Sequence, residues 1–469
     1  MLKYKNLIDE DPILNQIMPF LSGYNAFLIG GYIRDILIGK VSPDRDIVVE
    51  NCDIETLSKK IANRLKGHFI PLDTENNIYR IVLSDKKNYI DLTAPIENNI
   101  TKDILRRDLT INAIAYDINN KEFIDIARGF NDLTNKLIKG IDEQNIIDDP
   151  LRLLRIFRFN STLGFRIDSS LKEQVKRHAP KILLPAKERI NAELIKLFEG
   201  DYANAAIKEM DELGLLEYLF PIIKEVKKVP SNSHHHLDLF NHSIETLTQI
   251  QKYINDSPVD VKKHMDSKNF GGAKQSAYLK LAGFLHDIGK PSTWTIEEET
   301  QKHRFIKHDD VGSKLVIPIL KELKFSKKQI SYIQKMIKYH IYPSTIVCYE
   351  ETNEKARMRF FRKMEEYSID AIILAMADRL SARGPEITQD IINTNINGLK
   401  SLLTEYLNIR ENLKPLEKLL DGIEIMEILD IKASKQLGNV IKQLKEAQLN
   451  GEVTTKTEAI SFIKELSLN

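Results

Sequence analysis

The sequence predicts an α/β head followed by a body built almost wholly of helices, and three observations carry that expectation. Short β-like runs, Ala26-Phe27-Leu28-Ile29, Asp46-Ile47-Val48-Val49 and Tyr79-Arg80-Ile81-Val82-Leu83, stand near the start of the chain and alternate there with helical spacing. From about Pro150 onward the apolar residues recur at helical intervals, as in Leu151-Leu154-Phe157 and Leu194-Leu197-Phe198, which a period of 3.6 places on one buried face. The chain of 469 residues also exceeds what one hydrophobic core organises, so several domains are expected.

Charge and cysteine content narrow the function classes. Lys plus Arg number 68 against 67 Asp plus Glu, so the net charge of +1 excludes a uniformly basic nucleic-acid binder and any RNA surface must be a local patch. Cys52 and Cys348 are the only cysteines, too few for a disulfide framework, and they fit a reducing cytoplasm. The N-terminal MLKYKNLIDEDPIL carries acids where a secretory signal needs an apolar stretch, and no apolar run reaches membrane-spanning length; the expectation is a cytoplasmic protein with no membrane partner.

In the head, the apolar run Phe27-Leu28-Ile29 ends in Gly30-Gly31 and continues as Tyr32-Ile33-Arg34-Asp35-Ile36-Leu37, the pattern of a strand, a tight turn and a helix start. Glycines let backbone N–H groups approach an anion there, and Arg34 adds a charge-assisted donor; a purely structural turn satisfies the same pattern. Asp44-Arg45-Asp46 follows, leading into Ile47-Val48-Val49. Acids two apart on a strand face the same side, repel one another unless a cation sits between them, and suit hard Mg²⁺. Asp-x-Asp is common on solvated surfaces, but its place just after a phosphate-type turn favours the metal reading. Asp91, in Tyr89-Ile90-Asp91-Leu92-Thr93, offers a third acid from a neighbouring strand.

Two further segments carry charge at fixed spacing. The first is Leu105-Arg106-Arg107-Asp108-Leu109-Thr110-Ile111-Asn112-Ala113, and the second runs from Asp148-Asp149-Pro150 through Arg152, Arg155 and Arg158 to Phe159. Arginines every third residue share a helix face, ordinarily a solvated one, while Leu153, Leu154, Phe157 and Phe159 mark the same helix as having a buried side.

In order and approximate spacing, these segments resemble the bacterial and eukaryotic CCA-adding enzymes and the bacterial poly(A) polymerases: Gly30-Gly31-x-x-Arg34-Asp35, Asp44-x-Asp46, Arg106-Arg107-Asp108-x-Thr110-x-Asn112-Ala113 and Asp149-x-x-Arg152-x-x-Arg155-x-x-Arg158-Phe159. Lys187-Glu188-Arg189-Ile190-x-x-Glu193-Leu194-x-Lys196 is similar to their neck helix. The resemblance implies an α/β nucleotidyltransferase head followed by an all-α neck and body. It implies that Asp44 and Asp46 hold Mg²⁺, with Asp91 as a further catalytic acid, and that Gly30, Gly31, Arg34 and Arg107 meet a triphosphate. Asp108 and Asn112 would lie near the ribose. Asp149 and Arg152 would read the Watson–Crick edge of CTP or ATP in place of a nucleic-acid template, since a carboxylate accepts from the amino groups of C and A while Arg donates to ring nitrogens or carbonyls. Arg155 and Arg158 would contact phosphate or brace the site. Asp148 stands where the family usually has Glu.

The implied partner is the tRNA acceptor end, gripped through phosphates by patches such as Arg177, Lys181 and Lys187. In enzymes that add all of CCA, a flexible loop needed for the switch from C to A lies between the third-acid strand and the Arg-Arg-Asp motif; here Thr93-Ala94-Pro95-Ile96-Glu97-Asn98-Asn99-Ile100-Thr101 leaves little room for one. That shortening resembles the relatives that add only the two C residues and rely on a separate A-adding enzyme. Full CCA addition, CC addition and a poly(A) polymerase activity remain the readings within this chemistry. A hydrolase whose head has become an RNA-binding module is the reading outside it.

The second half carries its own constellation. His242 lies on a helix expected to begin near Asn241, His286-Asp287 closes the apolar run Tyr278 to Leu285, Ile288-Gly289-Lys290-Pro291 follows, and His308, His340 and Asp378 come later. A His-Asp pair with Gly-Lys after it, His before it and Asp long after resembles the HD-superfamily phosphohydrolases. The resemblance implies an all-α HD domain whose core ligands are His242, His286, Asp287 and Asp378, with His308 and His340 as the added ligands of a two-metal site. Imidazole with carboxylate suits a transition ion, Mn, Ni, Co, Fe or Zn. His234-His235-His236 reads as loop, as does the polar stretch Asp256 to Ser276. The expected division is 1–145 nucleotidyltransferase head, 146–228 neck and body, 229–385 HD domain and 386–469 helical tail.

Overall fold

The computed structural model describes residues 2–348, 354–411 and 418–467, which form two compact units, Met1–Pro221 and Ile222–Asn469. In the first unit Leu137–Ile138 and Arg166–Ile167 pair as a small parallel sheet of their own, and the other strands are β1 (Ala26–Ile29), β2 (Asp44–Val49), β3 (His68–Asp73), β4 (Ile78–Val82), β5 (Tyr89–Thr93), β6 (Ala115–Asp117) and β7 (Glu122–Ile124). They make one sheet in the order β3-β4-β5-β2-β1-β6-β7. Within that sheet only β2 and β5 run parallel. The sequence-expected runs are β1, β2 and β4, with β5 as the neighbouring strand of Asp91; β3, β6 and β7 were not expected, and β3 carries Pro71 on an edge strand with a register shift between Pro71 and Asp73.

Strand alternation on β2 separates chemistry from core. Ile47 is fully buried and Arg45 is 6 % exposed. The guanidinium of Arg45 donates to Asp11 at 2.6 Å, and the Tyr32 hydroxyl donates to the same carboxylate at 2.7 Å. A buried Arg on the strand between two acids is thus satisfied away from them, which leaves Asp44 and Asp46 to face the opposite side. On the face that carries the acids, beyond Asp46, Val48 packs with Ile29, Ile104, Ala113 and Ala115. The helix Arg152–Leu163 buries Leu153, Leu154, Phe157 and Phe159, and Lys187–Glu199, which packs against it, buries Leu194, Leu197 and Phe198.

The second unit is helical apart from the hairpin Trp294–Ile296 and His303–Phe305. The helix of His242 spans Leu239–Asp256, starting two residues before the expected point because the Asp238 side chain accepts from the N–H of Asn241 and caps it there. The stretch expected as loop contains the helix Val259–Met265, whose Val261 and Met265 are buried at i, i+4 spacing; Gly271 and Gly272, both at positive φ, then make the turn. Helices Gly422–Leu429, Lys435–Asn450 and Lys456–Ser467 enclose a small core of their own around Ile425, Leu444, Ala459 and Ile463. Among the described residues no helix is long and apolar enough to cross a membrane.

Candidate active site and candidate metal centre

Parallel pairing of β2 with β5 sets Asp46 directly opposite Asp91, and one carboxylate oxygen from each of Asp44, Asp46 and Asp91 lies within 4.8 Å of the others. Oδ1 of Asp44 is buried with no hydrogen-bond partner. Burial and the neighbouring Asp46 and Asp91 push Asp44 up to about 7, and burial likewise raises Asp46 although Arg107 opposes it. Three converging carboxylates with an unsatisfied buried oxygen are the donor set a hard divalent cation takes, so these residues fit Mg²⁺. Gly30 is at φ +83°, and a Cβ on it would stand 2.9 Å from Oδ2 of Asp46 and 3.0 Å from Nη1 of Arg107. Only glycine lets the turn pass so close to the acids.

A stability test follows from the raised Asp44. A carboxyl near 3.8 when unfolded and about 7 when folded favours the fold in its protonated form. That contribution is complete below about pH 4 and is lost as pH rises through 7. In chelator, Asp44→Asn is therefore expected to melt above wild type at pH 8, by roughly 2 kcal/mol once solvent screening is discounted, with the gap closing toward pH 4. Thermal melts across that range measure it; a pH-independent gap contradicts it.

From the turn a chain of polar and charged side chains crosses the first unit. Arg34 donates from Nη1 to Oδ1 of Asn112 at 2.7 Å, Asn112 donates from Nδ2 to Oδ1 of Asp108 at 3.1 Å, and Nε of Arg155 donates to Oδ2 of Asp108 at 2.7 Å. Arg155 and Arg158 then share Glu193, at 3.5 and 3.2 Å. Burial opposes a charge on Asp108, yet Arg155 and Asn112 hold it well below the usual carboxylate range. Burial, with Arg155 close by, brings Arg158 down to about 10. The ring of Phe159 lies under Arg34 at 4.9 Å and Arg158 at 4.1 Å. Arg155 and Arg158 are thus half-buried braces here and not a solvated face. Beside them opens a cleft of about 430 Å³ lined by Arg107, Asp108, Asp149, Arg152 and Arg155, among others. Burial lowers Arg152, whose Nη1 has no hydrogen-bond partner.

In the second unit all six expected ligands converge. His286 and His340 cap the C-termini of Gln275–Leu285 and Lys327–Tyr339, His308 starts His308–Glu322, and Asp378 sits in Ser368–Ser381. His286, His308 and His340 each donate from Nδ1 to the carbonyl three residues back, at 2.8, 2.8 and 2.7 Å, which turns every Nε2 inward. Asp287 is the hub. Its Oδ2 lies 3.2 Å from His286 Nε2 and 3.5 Å from His242 Nε2, and its Oδ1 lies 3.1 Å from His308 Nε2 and 3.6 Å from His340 Nε2. Asp378 completes the first side at 3.1 Å from His242. Burial works against a charge on His286, but Asp287 pushes it up to about 10, while burial and His286 bring His340 down to about 3. Imidazole nitrogens gathered round buried carboxylates fit a transition ion, and the two sides of Asp287 fit two. Gly289 makes the approach possible, since a Cβ there would meet the carbonyl oxygen of His308 at 2.0 Å.

Comparison with known proteins places this geometry. The Poly A polymerase head domain matches residues 26–139, the probable RNA and SrmB-binding site of polymerase A matches 164–227, and the HD domain matches 239–383. The A-adding tRNA nucleotidyltransferase of Deinococcus radiodurans is 30 % identical over 451 residues, 95 % of this chain and 96 % of that protein. The chain belongs to the tRNA nucleotidyltransferase and poly(A) polymerase family. The CC-adding tRNA nucleotidyltransferase of Thermus thermophilus is 28 % identical over 95 % of this chain and 94 % of its own. The Thermotoga maritima CCA-adding enzyme, solved in complex with tRNA, has the same fold at a TM-score of 0.57 and 22 % identity, over 99 % of this chain and 98 % of that one.

Within this family member, four side chains beside the expected sites had no site role in the sequence reading, Arg189 and Glu193 standing there only as part of the neck-helix motif. Arg80 of β4 donates to both oxygens of Asp91 at 2.7 and 2.6 Å, and Glu193 holds Arg155 and Arg158. Arg189 donates to Asp149 at 2.9 Å. His235, expected as plain loop, has its ring 4.6 Å from that of His242, and its loop is fixed by Asn232, whose Oδ1 accepts from the N–H groups of His234 and His235. The patch residue Arg177 is exposed, and its guanidinium is bonded to Glu143.

Proposed function

We propose that the chain is a tRNA nucleotidyltransferase that adds two C residues to the tRNA 3′ end from CTP and leaves the terminal A to a separate enzyme. The observation that carries the transferase reading is the trio Asp44, Asp46 and Asp91 beside the turn at Gly30 and the arginine-lined cleft. Mg²⁺ held by Asp44 and Asp46 would supply Lewis-acid activation of the primer 3′-hydroxyl and neutralise the leaving pyrophosphate. The chain's own groups do the rest. Gly31, Arg34 and Arg107 seat the triphosphate, Asp108 and Asn112 meet the ribose, and Asp149 with Arg152 selects a base that offers an amino donor next to an acceptor. The division of labour follows the expected segments: head 1–145, neck and body 146–228, HD domain 229–385 and tail 386–469. The two free cysteines are consistent with work in the cytoplasm.

The restriction to C rests on the segment between β5 and the helix Ile100–Leu105. It holds one 3₁₀ turn, Ile96–Asn98, and is tied down by Asn98, whose Oδ1 accepts from the N–H of Asn51 at 2.6 Å, and by Glu50, which accepts from the N–H of Ile100 at 2.8 Å. A segment so short and so bonded supports CC addition over a C-to-A switch. The A-adding relative from Deinococcus radiodurans favours a second reading, addition of A alone. Purified protein given CTP and ATP with tRNA ending at the discriminator base is expected to yield CC ends. A terminal A on the same molecules, or A added to tRNA already ending in CC, overturns the CC-only reading, and long tails made from ATP on unstructured RNA favour poly(A) polymerase.

For the second unit we infer a metal-dependent phosphoesterase acting on tRNA 3′ ends, supported by the six converging ligands. The division of Asp287 between two groups of imidazoles supports two ions.

A further inference from the structure

Base selection in the proposed reaction falls to Asp149 and Arg152, but Asp149 has little to hold it. It follows the short helix Glu143–Asp148 at φ −134° and ψ 89°, and its Oδ1 accepts one long bond, from the N–H of Leu151 at 3.3 Å. The terminal torsion of an aspartate is broad and soft. Oδ2 of Asp149 has a side-chain partner in Arg189, itself exposed, whose Nη2 donates to it at 2.9 Å. Arg189 also lines the cleft into which Asp149 and Arg152 face. The helix Lys187–Glu199 presents Arg189 and Glu193 four residues apart, on one side, so a single helix braces both the base-reading acid and the arginines beneath it.

We propose that Arg189 is a specificity-determining residue: by pinning one oxygen of Asp149, it leaves the carboxylate as a fixed acceptor that takes the amino group of cytosine and rejects uracil. This rests on the base-reading role proposed above. Cytosine offers an amino donor beside a ring acceptor, matching an acceptor on Asp149 and a donor on Arg152. Uracil offers a carbonyl beside a ring N–H. A carboxylate free to swing meets that N–H instead, so loss of the brace relaxes selection before it weakens chemistry. A site whose polar group is held against the wrong partner rejects strongly, and one that can turn does not.

Single-turnover incorporation of CTP and of UTP into tRNA ending at the discriminator base tests this in wild type, Arg189→Ala, Arg189→Lys and Asp149→Ala. The readout is the ratio of the two rates on one preparation, so any loss of folded protein cancels. Arg189→Ala is expected to lower the C-over-U preference tenfold or more, mainly by sparing or raising the UTP rate, and Arg189→Lys to restore part of it. If Asp149→Ala loses the preference while Arg189→Ala keeps it, or slows CTP and UTP by one factor, Arg189 is a structural residue and the inference falls while base reading by Asp149 stands. If Asp149→Ala also keeps the preference, base reading by this pair falls and the inference with it.

Discussion

Asp46→Ala is expected to reduce CTP incorporation by roughly a thousandfold or more, because metal-supplied charge stabilisation is worth several kcal/mol and each 1.36 kcal/mol is tenfold in rate. Asp46 stands between Asp91, its partner across β2 and β5, and the turn at Gly30, whose nearest atoms include its Oδ2. The loss is expected in the rate and not in the fold. Burial already disfavours the charged form of Asp46, so its removal relieves the metal-free protein, and the residues proposed to seat the nucleotide remain. Incorporation of labelled CTP over a range of Mg²⁺ measures it, with CTP binding followed separately. Activity within tenfold of wild type would place the cation elsewhere and revive the reading in which the head only binds RNA.

Asp287→Ala is expected to give the largest effect in the second unit. Asp287 is 2 % exposed, and its two oxygens stand within 3.6 Å of imidazoles of both groups. Its Oδ2 also pairs with Nζ of Lys290 at 2.6 Å. Burial opposes its charge, but His286 and Lys290 hold it far below the usual range, so it is the counter-charge of the cluster. Removing one member of a buried ion pair strands the other, at a cost of about 3–5 kcal/mol. The variant should melt well below wild type, lose uptake of Mn²⁺, Ni²⁺ or Co²⁺ by roughly a hundredfold or more, and show none of the phosphodiesterase turnover expected of the loaded wild type. Calorimetric metal titration with a chromogenic phosphodiester assay gives both readouts. Retained metal uptake would remove Asp287 from the centre, and a wild type that binds metal without turnover would leave the unit a scaffold.

How much of this was legible in the sequence depended on the distance between partners. The turn at Gly30, the alternation of Asp44 and Asp46 on β2 and the spacing of His286-Asp287 before Gly289 are local patterns, and local patterns survive in one dimension. Asp91 could be nominated as a third acid, but its place opposite Asp46 is a matter of strand register, which the sequence does not print. The arginines at 152, 155 and 158 had the spacing of a solvated face. What reverses that is Glu193 and Asp108, 35 and 47 residues from the arginines they bind. Arg80, Arg189 and His235 were given no site role for a related reason: each acts on an expected residue, Asp91, Asp149 or His242, and that action is a matter of proximity in space, which even the neck-helix motif holding Arg189 does not spell out. The helix Val259–Met265 was obscured by polar neighbours, and its two buried residues are too few to stand out as a period.

The hydrogen-bonded chain from Arg34 to Arg158 bears on how a nucleotide is felt by the first unit. Asn112 and Asp108 each serve two neighbours, so no arginine along the line can turn toward an arriving ligand without loosening the grip of the next. If a nucleotide occupies this line, occupancy at one end is expected to be linked to occupancy at the other, and such a linkage is reciprocal. Pyrophosphate and a bare nucleoside, offered as separate molecules, should then bind with energies that do not add up to that of the intact triphosphate.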